Sequence, residues 1–290
     1  MKNRIFYLAL AMIFVACGNE DSTLDMMGMF SSNGEPVNTR FEQSMAYNDS
    51  IGEIHIAMPA ANYTMYVCTD SHITRNTHKN LDYFIATYNA ETNPKLAMHL
   101  GDLIDAQKNF PCADSILNLA NDRLFITPGN HDVYFKQWPI YRSYFHTGTY
   151  WFDTRFGDEL LELFICLDTA DGTVGASQMK WLRDLLASKA QAGYRRIIVF
   201  THTHFWKLDG SQGHTSNFSM EETYELTSLF AQYGVQYVWS GHQHSRQSVI
   251  YKDVNYLVLD ATKDTETGLS YMKVDMGESA IYHYIDYPKN

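Results

Sequence analysis

Five short apolar runs in this 290-residue chain each stop at a cluster of Asp, His, Asn and Gly. Residues 63–69 lead into Asp70-Ser71-His72, and 95–100 into Gly101-Asp102. Residues 123–128 lead into Gly129-Asn130-His131-Asp132, 195–201 into His202-Thr203-His204, and 235–240 into Gly241-His242-Gln243-His244. Runs of this length and apolarity read as buried strands. Helical stretches separate them. Lys79–Ala90 places Leu81, Phe84, Ile85 and Tyr88 on one face, and further helices are expected at 113–121, 177–189 and 220–233. Residues 160–167 add a strand, and period-two alternation from 249 to 287 predicts antiparallel hairpins. Strands alternating with helices build α/β domains, in which ligands gather beyond the carboxyl ends of the strands. The five clusters are therefore expected to meet at one place.

The clusters differ in information content. At this composition Asp-x-His is expected about once by chance, so Asp70-x-His72 alone says nothing. Gly-His-x-His is expected roughly 0.03 times and Gly-Asn-His roughly 0.04 times, so finding both, each after a strand, is informative. Carboxylates, an amide and imidazoles together suit borderline divalent ions such as Mn, Fe or Zn. No Gly-x-Ser-x-Gly elbow or Walker loop is present, which removes serine-hydrolase and P-loop readings. With 33 Asp+Glu against 22 Lys+Arg the net charge is −11, which disfavours nucleic acid as a partner. At 45% hydrophobic and 19% charged residues the chain has the apolar content of a folded domain.

Taken in order, Asp70-x-His72, Gly101-Asp102, Gly129-Asn130-His131-Asp132, His202 and Gly241-His242-x-His244 resemble the full motif set of the calcineurin-like metallophosphoesterases, over about residues 62–260. The resemblance implies an α/β fold of the αββα type, two mixed sheets flanked by helices, with a dimetal site at strand C-terminal ends. It implies that Asp70, His72, Asp102 and His244 hold one divalent ion. Asp102, Asn130, His202 and His242 would hold the other, with Asp102 shared. His202 is favoured over His204 as the ligand of the fourth cluster. His131 would face a small phosphorylated substrate, with Asp132 orienting its ring. A shared carboxylate can set two cations about 3.5–4 Å apart, where they activate a water for in-line attack and neutralise phosphoryl charge. Both mono- and diester hydrolysis fit those residues. Purple acid phosphatases, a related group, carry Tyr three residues after the shared Asp. Here that residue is Asp105, so two divalent ions and no tyrosinate–iron colour are expected.

Flanking residues carry further expectations. Asn130, His131 and Arg246 are candidate substrate-binding groups. The aromatic stretch Tyr134, Phe135, Trp138, Tyr141, Tyr144 and Phe145 could wall the cleft or simply pack. Asp168-Thr169-Ala170-Asp171 reads as a turn, and residues 205–218 form a long loop beside the site. The four cysteines contain no CxxC pair, so neither a disulfide scaffold nor a Cys-rich zinc module is expected.

The amino terminus sets an address. Lys2 and Arg4 precede an apolar run over residues 5–16, roughly 18 Å as a helix and too short for a bilayer core of roughly 30 Å. Residues 1–16 read as a signal peptide. The junction Val15-Ala16-Cys17-Gly18 resembles a bacterial lipobox, which implies lipid attachment at Cys17 and membrane anchoring. An exported lipoprotein, periplasmic or outer-membrane attached and open to surface exposure, is expected. Residues 17–60 are expected to be a lipidated flexible tether, and 61–290 the metallophosphoesterase domain. The rival reading is a non-catalytic, metal-stabilised surface lipoprotein that binds a partner or glycan.

Overall fold

Residues 34–207, 215, 217–267 and 269–288 are described by a computed structural model. In chain order the elements are α1 (Val37–Ile51), β1 (Ile54–Ala57), β2 (Tyr63–Cys68), α2 (Lys79–Ala90), β3 (Lys95–His99), α3 (Phe110–Leu117) and β4 (Leu124–Ile126). The one-turn α4 (Asn130–Val133), α5 (Trp138–Phe145), β5 (Tyr150–Phe156), β6 (Glu159–Leu167), α6 (Gly175–Lys189), β7 (Arg196–Thr201), α7 (Met220–Gln232) and β8 (Tyr237–Ser240) follow. Two hairpins close the chain: β9 (Gln247–Tyr251) with β10 (Val254–Val258), and β11 (Ser270–Met276) with β12 (Ala280–Asp286).

The strands form two mixed sheets, ordered β1-β5-β6-β7-β8-β10-β9 and β12-β11-β2-β3-β4. Alternation along each strand sorts side chains to opposite faces. Met65 and Val67 of β2 meet Phe164, Ile198, Phe200 and Trp239 of the larger sheet in a layer between the sheets. Tyr66 and Cys68, on the other face of β2, pack beneath Leu81, Phe84 and Tyr88 of α2. Leu163, Ile165, Leu167, Ile197 and Val199 pack beneath Leu182 and Leu186 of α6 and Leu226 and Phe230 of α7. The result is the expected αββα sandwich. The interior cysteines Cys68 and Cys166 are buried, and all three described cysteines are free. No helix among the described residues is long and apolar enough to cross a membrane.

The structure corrects two boundaries. Residues 37–57 were expected to lie in the tether, but α1 packs on α6 and β1 pairs in parallel with β5, Ile54 opposite Phe152. The buried stripe of α1 is Val37, Arg40, Phe41 and Ser44. Its spacing is helical, yet two of the four residues are polar, so no apolar period marks it. Arg40 is 2% exposed and grips Asp168 with two bonds, Nε to Oδ2 at 2.7 Å and Nη2 to Oδ1 at 3.0 Å. Its Nη1 reaches Asp171 Oδ2 at 2.6 Å. Residues 1–33, including Cys17 and the start of the expected tether, lie outside the described residues. Second, the final hairpin, which lies beyond the residues 62–260 that carry the family resemblance but within the expected 61–290 domain, supplies two strands of the smaller sheet. β11 runs antiparallel to β2, with Met272 opposite Val67 and Val274 opposite Met65.

Candidate metal centre

All five clusters sit where strands end, and the backbone there bends sharply. Asp70, His72, Asp102, His242 and His244 all have positive φ, at 51°, 42°, 54°, 72° and 54°. That left-handed region costs an L-residue on the order of 1 kcal/mol, less for Asp and His than for branched residues. Such strain collects at functional sites because it aims side chains that a relaxed turn would point elsewhere. Three glycines let the loops meet backbone to backbone. A Cβ on Gly129 would run into the Asp102 carboxylate and amide, and one on Gly241 into Thr69 and Asp70. Gly101, at φ 89°, would press a Cβ against the Gly129 amide at 2.6 Å.

Two donor groups share Asp102. On one side, His72 Nε2 and His244 Nε2 stand 3.1 Å apart, with Asp70 Oδ1 3.3 Å from His244 Nε2. On the other, His202 Nε2 lies 3.1 Å from Asn130 Oδ1 and 3.2 Å from His242 Nδ1, and that Nδ1 is 3.0 Å from Asn130 Oδ1. Asp102 Oδ2 lies between the groups, 3.5 Å from His72 Nε2 and 3.4 Å from His202 Nε2. Asp70, His72, Asp102 and Asn130 come from the smaller sheet, and His202, His242 and His244 from the larger. The centre therefore straddles both.

The surroundings set which imidazole nitrogens carry lone pairs. His72 Nδ1 pairs with Asp105 Oδ1 at 2.9 Å, His244 Nδ1 with Glu266 Oε1 at 2.9 Å, and His202 Nδ1 with the Leu100 carbonyl at 2.8 Å. Each acceptor draws the ring proton to Nδ1, so in the neutral ring Nε2 offers its lone pair to the centre. Facing lone pairs at 3.1 Å repel unless a proton or a cation lies between them. Asp70 Oδ1 is buried with no hydrogen-bond partner, while its Oδ2 accepts from Thr69 Oγ1 and the His242 amide. A buried carboxylate oxygen without a donor, aimed among converging ring nitrogens, fits a cation. Three clusters of Asp and His close enough to hold a metal ion recur here: Asp70, His72 and His244; His72, Asp102 and His131; and Asp102, His202 and His242.

The electrostatics agree. Burial alone would raise the Asp102 carboxyl, but His202 and His131 outweigh it and hold the group well below the usual carboxylate range. Burial is the largest single influence on His202 and lowers it, but Asp102, Asp70 and the Leu100 carbonyl together outweigh it and raise the ring to about 9. His242, desolvated and beside His202, is pushed down to about 3. A cation here must displace protons from basic rings and gains carboxylates already ionised.

His131 is half-buried in the cleft, its ring centroid 4.6 Å from that of His72 in edge-to-face contact, while its amide donates to Asp102 Oδ1 at 2.8 Å. Burial lowers its pKa from 6.5. Asp132, expected to orient that ring, instead accepts the Gly129 amide at 2.9 Å and the Leu103 amide at 3.0 Å. The reason is topological. A one-turn helix sends the side chains of residues 131 and 132 in different directions, and Asp132 points inward to tie two loops together. Burial, reinforced by the Asp102 charge, raises its carboxyl to about 7.

Other expected residues fall elsewhere. His204 is buried, with its Nδ1 unpartnered, and its ring lies 5.8 Å from that of His242, so His202 is the residue that joins the donor set. Arg246 stacks over Tyr284 at 4.5 Å and does not line the cleft. Of the aromatic stretch, only Tyr134 borders the cleft, while Trp138 and Tyr141 pack inside and Phe135 is exposed. Phe205, Trp206 and Phe218 pack under α7, whereas Gly210, Gly213 and His214 lie outside the described residues. Sequence reading missed Gln243, Lys263 and Glu266, which line this cleft of about 450 Å³. Lys263 and Glu266 sit in the β10–β11 connection, where no ordered motif marks them.

Comparison with known proteins places this geometry. A family profile described as Calcineurin-like phosphoesterase matches residues 63–246. A probable cyclic nucleotide phosphodiesterase from Fibrobacter succinogenes is 26% identical over 188 residues, covering 62% of this chain and 70% of that protein. Among solved structures, purple acid phosphatase PPD1 from yellow lupin is similar with a TM-score of 0.59 at 14% identity, covering 78% of this chain and 51% of that one. GAP50 of Plasmodium gives 0.56 at 13%, covering 78% and 84%. At such identities these two structures attest the fold alone.

Proposed function

The chain belongs to the calcineurin-like phosphoesterase family and is a metal-dependent phosphoesterase, and from that premise we propose that it hydrolyses phosphate mono- or diesters with two divalent cations held astride Asp102. The carrying observation is the position of Asp102 Oδ2, within 3.5 Å of an imidazole nitrogen from each donor group. Asp70, His72 and His244 would hold one ion with Asp102, and Asn130, His202 and His242 the other. Mn, Fe or Zn suits the mixture of carboxylate, amide and imidazole. When bound, the pair supplies Lewis acidity toward phosphoryl oxygens and an activated water. Neutral Asn130 adds a ligand without another charge to repel an anionic ester. His131 presents a ring to the cleft, and with its pKa lowered by burial it stays neutral near pH 7. In that state it donates a hydrogen bond to developing charge on phosphoryl or leaving-group oxygen. Asp132 keeps His131 in place by fixing the loop that carries it. Where purple acid phosphatases carry Tyr three residues after the shared Asp this chain has Asp105, which favours two divalent ions and no tyrosinate–iron colour.

Export and lipid attachment at Cys17 are part of this reading, supported by the charged, apolar and small-residue succession in residues 1–18. The domain from about residue 37 onward would then work at a membrane surface, on a small phosphorylated substrate and not on long nucleic acid. Mass analysis of the amino-terminal peptide tests the anchor, since an unmodified Cys17 refutes it. For the chemistry, p-nitrophenyl phosphate and bis-p-nitrophenyl phosphate are assayed with added Mn²⁺ and with chelator. Chelator-sensitive hydrolysis, lost together with both metals in Asp102→Ala, is expected. Turnover by Asp102→Ala would sink the shared-carboxylate reading.

A further inference from the structure

Lys263 is the one Lys or Arg side chain among the described residues that line the cleft. The structure fixes where it is delivered. The Thr262 amide, one residue earlier, donates to the carbonyls of Thr69 at 2.8 Å and Asp70 at 3.2 Å, so this connection is stitched to the Asp70 loop. Three residues on, Glu266 Oε1 accepts a hydrogen bond from His244 Nδ1 at 2.9 Å. The stem of Lys263 is thus held between residues bonded to two of the donors. Its side chain is half-buried, is near enough to Asp105 to help hold that carboxyl below its ordinary range, and makes no ion pair within 4 Å among the described residues.

The charges around it are otherwise matched. Asp70 and Asp102 offset half of the charge of a divalent pair, and Asp105 and Glu266, set behind His72 and His244, offset the rest. With two such ions bound, Lys263 would be a surplus positive charge lining the cleft. A phosphate monoester carries nearly two negative charges at pH 7 and three terminal oxygens. A diester carries one charge and replaces a terminal oxygen with an organic group. An ammonium facing that group loses hydration without gaining an acceptor, whereas the third terminal oxygen of a monoester supplies one.

We infer that Lys263 grips the phosphoryl group and sets a preference for doubly charged phosphate monoesters over diesters, an inference that rests on the phosphoesterase reading above. The test compares Mn²⁺-loaded wild type, Lys263→Gln and Lys263→Arg on p-nitrophenyl phosphate and bis-p-nitrophenyl phosphate. Inhibition by inorganic phosphate is measured alongside, with metal content and melting temperature as checks on folding. In Lys263→Gln the ratio of monoester to diester kcat/KM is expected to fall on the order of 10–100-fold, and the phosphate inhibition constant to rise similarly. Lys263→Arg, which keeps the charge, is expected to restore much of both. An unchanged ratio and inhibition constant in a folded, metal-replete Lys263→Gln overturns the inference while leaving the phosphoesterase reading intact. Hydrolysis of neither ester by metal-replete wild type overturns both.

Discussion

Replacing Arg40 by Met should unfold this domain far more readily than the place of Arg40 in the sequence suggests. The guanidinium is 2% exposed, holds Asp168 through two bonds and Asp171 through a third, and donates to the Glu35 carbonyl at 2.9 Å. Methionine keeps most of the apolar stem, so the loss isolates the charge and its bonds. It leaves the buried Asp168 carboxylate with one remaining donor, the Ala170 amide at 3.1 Å. Breaking a buried ion pair by removing one partner costs about 3–5 kcal/mol, because the stranded charge stays out of water. For a domain of this size that lowers the melting temperature by about 6–20 °C. The turn so released also buttresses the centre: Thr169 Oγ1 accepts the Thr203 amide at 2.9 Å, next to His202. Urea unfolding followed by tryptophan fluorescence, in chelator so that metal binding does not contribute, reads the cost directly. A loss below about 1 kcal/mol would refute the reasoning, since it would mean that Asp168 reaches water or protonates without penalty.

His72→Gly and His72→Ala both remove a donor, yet at φ 42° the glycine variant should be the more stable by about 1 kcal/mol in denaturant melts. The opposite order would show that the left-handed turn carries no strain. Gly129→Ala has an ordinary φ but drives a methyl into the Asp102 carboxylate. It should lower metal content by elemental analysis and activity by roughly 100-fold. Glu91 accepts from Lys273 Nζ at 2.7 Å and from the Asn93 amide at 3.1 Å, which hold its folded pKa at about 2 against an ordinary 4.5. Its contribution is present above pH 4.5 and is lost as pH falls toward 2. Glu91→Gln should therefore flatten the acid limb of the stability curve between about pH 5 and pH 2, and an unchanged limb counts against the pairing.

The centre was largely legible because its donors sit at strand ends, where an apolar run and an ordered polar motif coincide. All seven side chains named from those motifs converge, with His202 rather than His204 lying against Asn130. What escaped was encoded across distance or in polar residues. Glu266 and Lys263 acquire their roles only when the β10–β11 connection folds back over the Asp70 loop, and Asp105 only when the loop after β3 brings it to His72 Nδ1. α1 hid because Arg40 and Ser44 occupy half of its buried stripe, and β1 because a half-exposed edge strand of four residues leaves little pattern. The aromatic residues after His131 were ambiguous for a plain reason: packing and walling a cleft use the same side chains. α3 began earlier than its apolar residues imply because Pro111 opens its first turn.

Because four of the donors belong to one sheet and three to the other, the spacing of the two layers is itself a property of the site. Ions seated there would rivet one slab to the other, so chemistry at the rim and packing at Met65, Phe164 or Trp239 share a single mechanical coordinate. Evolution, or an engineer, can therefore retune cation affinity from deep in the interior without touching any group that meets the ester.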